Sequence, residues 1–168
     1  FTMTPSNWYS VASVVVDGTN NVGAVTNYTF SNVVADHTIA ANFGPDMAAS
    51  NTPKWWLAQY YPTNGLDAGA TGDSDGDGAY GWQEYIAGTQ PTNSASLFRV
   101  LIGRSGGNAT VTCPTVLAGS DYDGLMRYYT LQKRPSITAG AWADIGSFTN
   151  VLGTGQTITY TNLTDTNA

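Results

Sequence analysis

Charged side chains are scarce in this sequence. Six Lys and Arg residues stand against twelve Asp and Glu, which gives the 168 residues a net charge of −6. A protein that binds nucleic acid needs a cationic surface to neutralise phosphates, and this composition does not supply one. A membrane-spanning helix needs a run of about 18 apolar residues, and the sequence has none. We therefore expect no nucleic-acid partner and no membrane span.

Residues that commonly carry catalysis are equally few, since the chain has one His and one Cys. Cys113 has no second cysteine for an internal disulfide, and its surroundings TVTCPTV are typical of a small buried residue rather than a nucleophile. His37 is interpreted as structural, and a His-rich zinc site is excluded. Acidic catalytic groups would have to come from Asp121, Asp123 and Asp144, the first two within SDYDG, which is typical of a turn. We predict that the chain is not an enzyme.

Thr, Asn, Gly and aromatic residues are abundant instead. Hydrophobic residues make up 42% of the chain, aromatics make up 12%, and there are 19 glycines. This composition favours a mainly β fold with many turns. Few lysines and many Thr and Asn favour an extracellular or cell-surface location, with which glycosylation sequences at Asn27, Asn108 and Asn162 are compatible. The chain begins with Phe1 and shows no signal peptide, so we expect a processed chain or a piece of a longer one.

Residues 1–44 alternate with the period of two that is typical of strands. An Asp-Gly pair at 17–18 predicts a turn between WYSVASVVV and VGAV. NYTF then leads to a last strand, in which Ile39, Ala41 and Phe43 share one face. The segment FTMTPSNWYSVASVVVDG, continued by VGAVTNYTFSNVVADHTIAANF, resembles the divergent internalin-type B-repeat of secreted bacterial surface proteins. The resemblance implies a small β-grasp-like sheet, a spacer or adhesion module, with this copy starting partway into the repeat.

A short linker is predicted over residues 45–52. Thr52 is suited to cap a following helix, PKWWLAQYY over 53–61, because Pro is favoured at the first helical position. Pro62 and the Asn-Gly pair after it would end that helix. Its buried side is predicted to comprise Trp55, Trp56, Leu57 and Tyr60.

The stretch DSDGDGAYGWQE, residues 73–84, has the spacing of a twelve-residue calcium loop. Side-chain oxygens at positions one, three and five come from Asp73, Asp75 and Asp77. Gly78 at position six permits a sharp turn, the carbonyl of Ala79 is offered at position seven, and a water is expected at position nine, which is Gly81. Glu84 is the only Glu in the chain, and from position twelve its longer side chain reaches back to bind in bidentate fashion.

Electrostatics and local context both favour Ca²⁺ at this loop. Four carboxylates in twelve residues repel one another unless a cation neutralises them, and Mg²⁺ resists a flexible cage made mostly of protein oxygens. A short helix over 79–87, ended by Gly88, is predicted to follow. Asp67 has two interpretations, as a ligand or outer-shell group of a second, poorer site or as a residue of a plain turn.

The residues DSDGDGAYGWQEYIAGTQPTNSASLF resemble the dockerin and thrombospondin type 3 class of calcium loops, in the variant that joins modules of bacterial surface proteins. That class commonly has Asn at the place of Gly81 and Asp at the place of Gln90, so the resemblance implies a lowered affinity here. A dockerin carries two such loops for binding a cohesin. Because one complete loop is present, cohesin docking is not expected.

Strand patterns return over residues 96–168, in SLFRVLIG, NATVTCPTV, RYYTLQKR, AWADIGSF and QTITYTNLT. Their spacing of about a dozen residues, with Gly-rich turns, predicts an antiparallel β-sandwich. From MRYYTLQKR to TDTNA the segment is similar to a C-terminal β-module at the ends of long secreted bacterial proteins. That module closes with one more aromatic strand, so its absence here implies an open sheet edge.

These modules together predict an extracellular structural protein. Ca²⁺ would stiffen the helix–loop–helix joint over 53–95, and without an exposed Met-rich groove a sensor role is not expected. Open β edges can pair with copies of the chain or with neighbouring modules, and a contact that does not close into a ring gives a filament. The alternative is a carbohydrate- or surface-binding accessory module of a larger secreted protein, in which Trp8, Trp82 and Trp142 stack on a polysaccharide. Against this alternative, Trp8 and Trp142 are interpreted as core or interface anchors, because each lies within apolar alternation.

Overall fold

A computed structural model describes residues 1–118, 122, 124–136 and 138–162 of the chain. Within these residues the strands form two three-stranded and two two-stranded sheets, and every ladder is antiparallel. The helices are short. The prediction of a mainly β chain is therefore confirmed, while the β-grasp-like and sandwich arrangements stay predictions.

Two compact units divide the chain. The first comprises Phe1–Ser74 and Tyr80–Trp82, and the second comprises Asp75–Ala79 and Gln83–Ala168. The boundary between the units therefore crosses the predicted calcium loop. The division into three modules and a linker stays a prediction.

The first unit contains a three-stranded sheet in the order β2-β1-β3. Its strands are β1 (Tyr9–Val16), β2 (Asn20–Gly23) and β3 (Ile39–Pro45). Asp17 and Gly18 lie in the turn between β1 and β2 with φ of 51° and 75°, a conformation that Asp and Gly tolerate better than other residues. The turn predicted from the Asp-Gly pair is thus confirmed.

A β-bulge sets which side chains of β1 face the core. The register with β3 shifts between Val11 and Ser13, so Val11 and Val14, three positions apart, are both buried, as is Val16. A bulge adds one residue to one strand and thereby changes the phase of the alternation. Ile39 and Ala41 pack against this core. The buried residues Val11, Val14 and Val16 pair with Phe43, Ala41 and Ile39, so these three β3 residues share one face as predicted, although Phe43 is 46% exposed.

Residues 45–52, predicted as a linker, are bound into the first unit by backbone hydrogen bonds. The Asp46 N–H donates to the Trp8 carbonyl over 2.7 Å, and the Asp46 carbonyl accepts from the Lys54 N–H over 2.8 Å. A 3₁₀ turn covers Ala49–Asn51. The segment is therefore part of the folded unit.

The helix predicted over 53–61 is shorter in the structure, where α1 covers Lys54–Leu57. Pro53 is its N-cap, with extended backbone at φ −62° and ψ 131°. The fully buried Thr52 hydroxyl has no hydrogen-bond partner within the described residues, so the prediction that Thr52 caps the helix is wrong. Of the four side chains predicted to form the buried side of this helix, Trp56 and Leu57 are buried, and Trp55 and Tyr60 are half-buried.

A second helix, α2 (Leu66–Thr71), follows a 3₁₀ turn over Thr63–Gly65. The sequence pattern does not predict α2, because Gly65 and Gly69 favour a turn over a helix. The third helix, α3 (Gly81–Ala87), corresponds to the helix predicted over 79–87. Membrane-spanning length and apolar character are absent from every helix in the described part of the chain.

The second unit contains the remaining strands. A three-stranded sheet in the order β10-β5-β4 is built from β4 (Leu101–Ser105), β5 (Asn108–Pro114) and β10 (Thr157–Asn162). Two-residue strands form two further pairs, β6 (Tyr128–Tyr129) with β9 (Val151–Leu152) and β7 (Gln132–Lys133) with β8 (Ala143–Asp144). Each predicted strand segment of this unit overlaps at least one of these strands, and β9 is the strand that the pattern does not predict.

Candidate metal centre

The candidate metal centre is the loop between α2 and α3. After α2, the Gly72 N–H donates to the Ala68 carbonyl over 2.8 Å. The Gly72 carbonyl in turn accepts from the N–H of Gly81, the first residue of α3, over 3.1 Å. These bonds hold the two ends of the loop together, so residues 73–80 form a compact turn.

Asp73, Asp75 and Asp77 converge within this turn. One carboxylate oxygen from each lies within 4.8 Å of the other two, and Asp73 is exposed while the others are half-buried. Two oxygens bound to one ion at roughly 2.4 Å are at most about 5 Å apart. The spacing of the three carboxylates is therefore compatible with a single metal ion. These are the side chains that positions one, three and five of the loop pattern predict as ligands.

Backbone N–H groups of the loop orient two of these carboxylates. The Asp77 N–H donates to Asp75 Oδ1 over 3.2 Å, and the Ala79 N–H donates to Asp77 Oδ1 over 2.7 Å. In each case an Asp side chain accepts from the residue two positions later, a local turn that Asp favours. Asp75 Oδ2 is buried and makes no hydrogen bond with any described residue. A carboxylate oxygen removed from water in this way gains from contact with a cation.

Two glycines give the loop its curvature. Gly78 has φ of 96°, as expected for the sharp turn at position six. Gly76 has φ of 78°, although the loop pattern assigns it no role. The left-handed region costs residues with a Cβ roughly 1–2 kcal/mol. In the sequence, the repeated Asp-Gly pairs over 75–78 are the signal that Gly76, like Gly78, takes this left-handed conformation.

Glu84 is a buried carboxylate on α3, with 1% of its surface exposed. Its Oε1 accepts a hydrogen bond from Thr89 Oγ1 over 3.3 Å, and its carbonyl accepts from the Gly88 N–H over 2.7 Å. Gly88 ends the helix with φ of 77°, as predicted. Burial of a carboxylate requires compensating polar groups, and Thr89 is one that the loop pattern does not reveal. The converging group comprises the three aspartates, so ligation by Glu84 and by the Ala79 carbonyl stays a prediction.

Gly81 has a packing role in addition to its place in the loop pattern. A Cβ on Gly81 would overlap the carbonyl oxygen of Gly69. A Cβ on Gly69 would in turn lie 2.5 Å from Cδ2 of Tyr61, and the Tyr61 hydroxyl donates to Ser74 Oγ over 3.0 Å. The first turn of α3 therefore approaches α2 so closely that only glycine fits at either position. The water expected at position nine stays a prediction.

Asp67 lies in the first turn of α2 and is outside the group of converging aspartates. Its Oδ1 accepts from the Ala49 N–H over 2.8 Å, and its carbonyl accepts from Thr71 Oγ1 over 2.9 Å. The first hydrogen bond attaches α2 to the 3₁₀ turn over Ala49–Asn51, and the second lies within α2. Asp67 therefore lies in a helix rather than in the plain turn of one interpretation, and its role at a second site stays a prediction.

The three candidate tryptophans have different surroundings. Trp8 and Trp82 are half-buried, and Trp8 has a left-handed backbone with φ of 66°. Trp142 is 58% exposed and lines an open cleft. Among the described residues that line this cleft, Trp142 is the one tryptophan. The exposure of Trp142 shows that the interpretation as a core residue is wrong, while a role as an interface anchor stays a prediction.

His37 has the structural role that the sequence predicts. Its Nδ1 lies 2.9 Å from Asp17 Oδ2, and its ring stacks on Phe30 with 4.7 Å between ring centroids. Asp17 Oδ1 accepts from the Thr38 N–H over 2.9 Å. The hydrogen bond from Thr38, followed by that from His37, lowers the pKa of Asp17. His37 thus helps to join the β1–β2 turn to the start of β3.

Of the other candidate catalytic residues, the structure describes Cys113 and Asp144. Cys113 is half-buried in β5, and burial raises the pKa of its thiol, which disfavours the nucleophilic thiolate. Asp144 accepts from Gln132 Nε2 over 2.8 Å, across the β7–β8 pair. Asp121 and Asp123 lie outside the described residues.

Comparison of the chain with protein-family models, with curated proteins and with solved structures finds no match. The resemblances to B-repeats, to dockerin-type loops and to C-terminal β-modules therefore stay predictions.

Proposed function

We propose that the chain is an extracellular or cell-surface structural protein whose loop over residues 73–84 binds Ca²⁺. The observation that carries this proposal is the convergence of Asp73, Asp75 and Asp77, with ligand atoms within 4.8 Å of one another. The buried, unbonded Oδ2 of Asp75 adds to it, since an oxygen in that state is stabilised by a cation. Ca²⁺ suits a loop of oxygen ligands with flexible geometry better than Mg²⁺ does.

The proposed ligand set extends beyond the three aspartates. The Ala79 carbonyl supplies position seven and the Glu84 carboxylate supplies position twelve, with a water at the place of Gly81. Glu84 is suited to this role because its carboxylate is already buried, and the positive charge of an ion offsets the cost of burying it. The ion's function is mechanical, since it neutralises the crowded carboxylates and stiffens the segment over 53–95.

Thermal unfolding with and without chelator tests this proposal. Ca²⁺ at about a thousand times its Kd stabilises a folded chain by roughly 4 kcal/mol, so we expect a clear rise in Tm over the chelator-treated protein. Asp75→Asn keeps the side-chain size and should abolish the rise. Asp36→Asn removes the same charge from an exposed residue outside the loop and should leave the rise intact. Equal melting curves with Ca²⁺ and with chelator would contradict the proposal.

A second candidate function is assembly with further copies of the chain through the second unit. β4 is an edge strand of the β10-β5-β4 sheet, and all five of its residues are exposed. Leu101 is 60% exposed and Ile102 is 82% exposed. An edge strand with exposed apolar side chains and unpaired backbone groups is a template for pairing with another strand.

Incomplete filling of the second unit supports the same candidate. A cavity of about 240 Å³ adjoins the β10-β5-β4 sheet, and its lining includes Phe98, Val100, Val111, Phe148, Ile158 and Tyr160. A cavity of about 150 Å³ in a protein core admits benzene, so this one can take an apolar side chain. The proposed occupant is a second copy of the chain, because a strand donated from copy to copy also yields the predicted filament.

Sedimentation velocity over a range of protein concentrations, with electron microscopy of the same samples, tests assembly. We expect association that Ile102→Lys abolishes, because a charge on the edge opposes pairing. Val34→Lys is the matched control, since Val34 is 96% exposed and lies in the first unit. A chain that stays monomeric at all concentrations would rule out strand exchange between copies.

A further inference from the structure

The β7–β8 hairpin carries a surface feature that the calcium loop does not explain. Lys133 pairs with Ala143 in the ladder, so Arg134 and Trp142 occupy the next opposed positions toward the hairpin loop. Residues directly opposed on antiparallel strands have neighbouring side chains. The Gln132 amide donates to Asp144 Oδ1 over 2.8 Å and fixes the base of the hairpin.

The hairpin loop is closed by a tight contact. Gly140 has φ of 93°, and a Cβ there would lie 2.6 Å from Cγ of Pro135. The Thr138 N–H donates to Ser136 Oγ over 3.3 Å. These contacts bring Pro135 close to Gly140 and Ser136 close to Thr138 beside the cleft.

An open cleft of about 450 Å³ lies on this surface. It is lined by Lys133, Arg134, Pro135, Ser136 and Trp142. The Arg134 guanidinium lies 4.9 Å from the centroid of the Trp142 ring, a cation–π distance. Trp142 is nevertheless 58% exposed, which is unusual for the largest apolar side chain.

The charge of the cleft is opposite to that of the chain. Lys133 and Arg134 are two of the six basic residues in a chain of net charge −6. No carboxylate lines the cleft within the part of the chain that the structure describes. A concave surface of one sign raises the local concentration of ligands of the opposite sign, so the cleft selects an anion.

We propose that this cleft binds an acidic polysaccharide. The apolar C–H face of a sugar ring lies on the Trp142 indole, whose π-face is negative. An anionic group of the same chain, a carboxylate or a sulfate, accepts hydrogen bonds from the Arg134 guanidinium, whose planar fork matches such groups, and Lys133 adds a second positive charge. The site is independent of the proposed calcium loop.

Nucleic acid is the alternative ligand for this cleft, because it is also a polyanion and its bases have flat faces that stack on aromatic rings. Binding to it is dominated by a row of cations that neutralises successive phosphates. The cleft has two basic side chains, and the remainder of the chain is acidic overall. A polymer whose charges are separated by neutral sugar rings fits this arrangement better than a continuous phosphate backbone.

Isothermal titration calorimetry of the full chain, in chelator to remove any contribution of Ca²⁺, tests the proposal with four polymers. Polygalacturonate presents carboxylates, dextran sulfate presents sulfates, dextran is neutral, and single-stranded DNA presents phosphates. We expect binding to one or both of the first two, weakening as salt is raised, and no binding to dextran. Tighter binding to DNA than to either acidic polysaccharide, equal binding to dextran, or binding to none of the four would each overturn the proposal.

Variants assign the binding to the cleft. Arg134→Gln should raise Kd at least about tenfold, because hydrogen bonds to charged groups are strong, and Trp142→Ala should do the same. Arg99→Gln is the matched control, since Arg99 is exposed and does not line the cleft. Circular dichroism checks folding, and Lys133→Gln provides a further readout if Trp142→Ala does not fold. Equal affinity in the wild type, Arg134→Gln and Lys133→Gln would overturn the assignment.

Discussion

The two units differ in how they bury apolar side chains. In the first, the buried hydrophobic residues are Met3, Val11, Val14, Val16, Trp56, Leu57, Leu66 and Ala70. In the second, the buried residues of the described chain are Glu84, Pro91, Thr115 and Gly153. Large apolar side chains of the second unit, such as Ile102 and Met126, are exposed. Apolar composition alone therefore does not make a core, because the elements must also cover one another.

Strand length accounts for part of this difference. β1 has eight residues and pairs with a strand on each side. The pairs β6–β9 and β7–β8 consist of two residues on each strand, which is too short to bury a continuous apolar face. Among its described residues, the second unit thus has the apolar side chains of a core but few elements to enclose them, which is why we propose that a second copy covers part of its surface.

The largest expected effect comes from truncating one apolar side chain in each unit. Leu57→Ala removes a side chain with 0% exposure and should lower the free energy of unfolding by about 2–5 kcal/mol. Ile102→Ala removes one that is 82% exposed and should change it by less than about 0.5 kcal/mol in the monomer. Urea denaturation at a low protein concentration measures both. Equal losses would show that the second unit is as tightly packed as the first.

A smaller effect is expected from adding a methyl group to a glycine in each unit. Gly81→Ala places a Cβ against the Gly69 carbonyl and should destabilise the chain by about 1–3 kcal/mol, as overpacking does. Gly146→Ala is the matched change in the second unit, where a Cβ meets open space. Its free energy of unfolding should stay close to that of the wild type. A Gly81→Ala variant as stable as Gly146→Ala would contradict the close approach of α2 and α3.

The smallest effect concerns the acid stability of the first unit. Hydrogen bonds from Thr38 and then from His37 lower the pKa of Asp17 in the folded chain. Their contribution is therefore present above the pKa of an unfolded Asp and is lost as the pH falls through the lowered folded pKa. Asp17→Asn should remove this dependence, as measured by urea midpoints between about pH 5 and pH 2. Asp36→Asn controls for the change in net charge, and an identical acid profile for wild type and Asp17→Asn would contradict the role of Asp17.

Features that depend on neighbours in sequence could be predicted. The turn at Asp17, the end of α3 at Gly88 and the convergence of the three loop aspartates follow from the spacing of a few residues. Backbone preferences of Asp and Gly act locally, so they are visible in the sequence.

Features that depend on distant contacts could not be predicted. The β1 bulge, which lets both Val11 and Val14 be buried, is fixed by pairing with β3. The contact of Gly81 with Gly69 and the burial of Thr52 depend on packing between separate elements. Trp142 lies in apolar alternation and is nevertheless 58% exposed, because the pattern of its neighbours does not say which elements will cover it.

The most direct test of the central claim is calorimetric titration of Ca²⁺ into the chelator-stripped chain. A single strong site formed by Asp73, Asp75 and Asp77 predicts one Ca²⁺ bound per chain, binding lost in Asp75→Asn, and binding kept in Asp36→Asn. If the wild-type chain gave no binding heat at any temperature tried, or if Asp75→Asn bound Ca²⁺ as the wild type does, the loop would not be a calcium site.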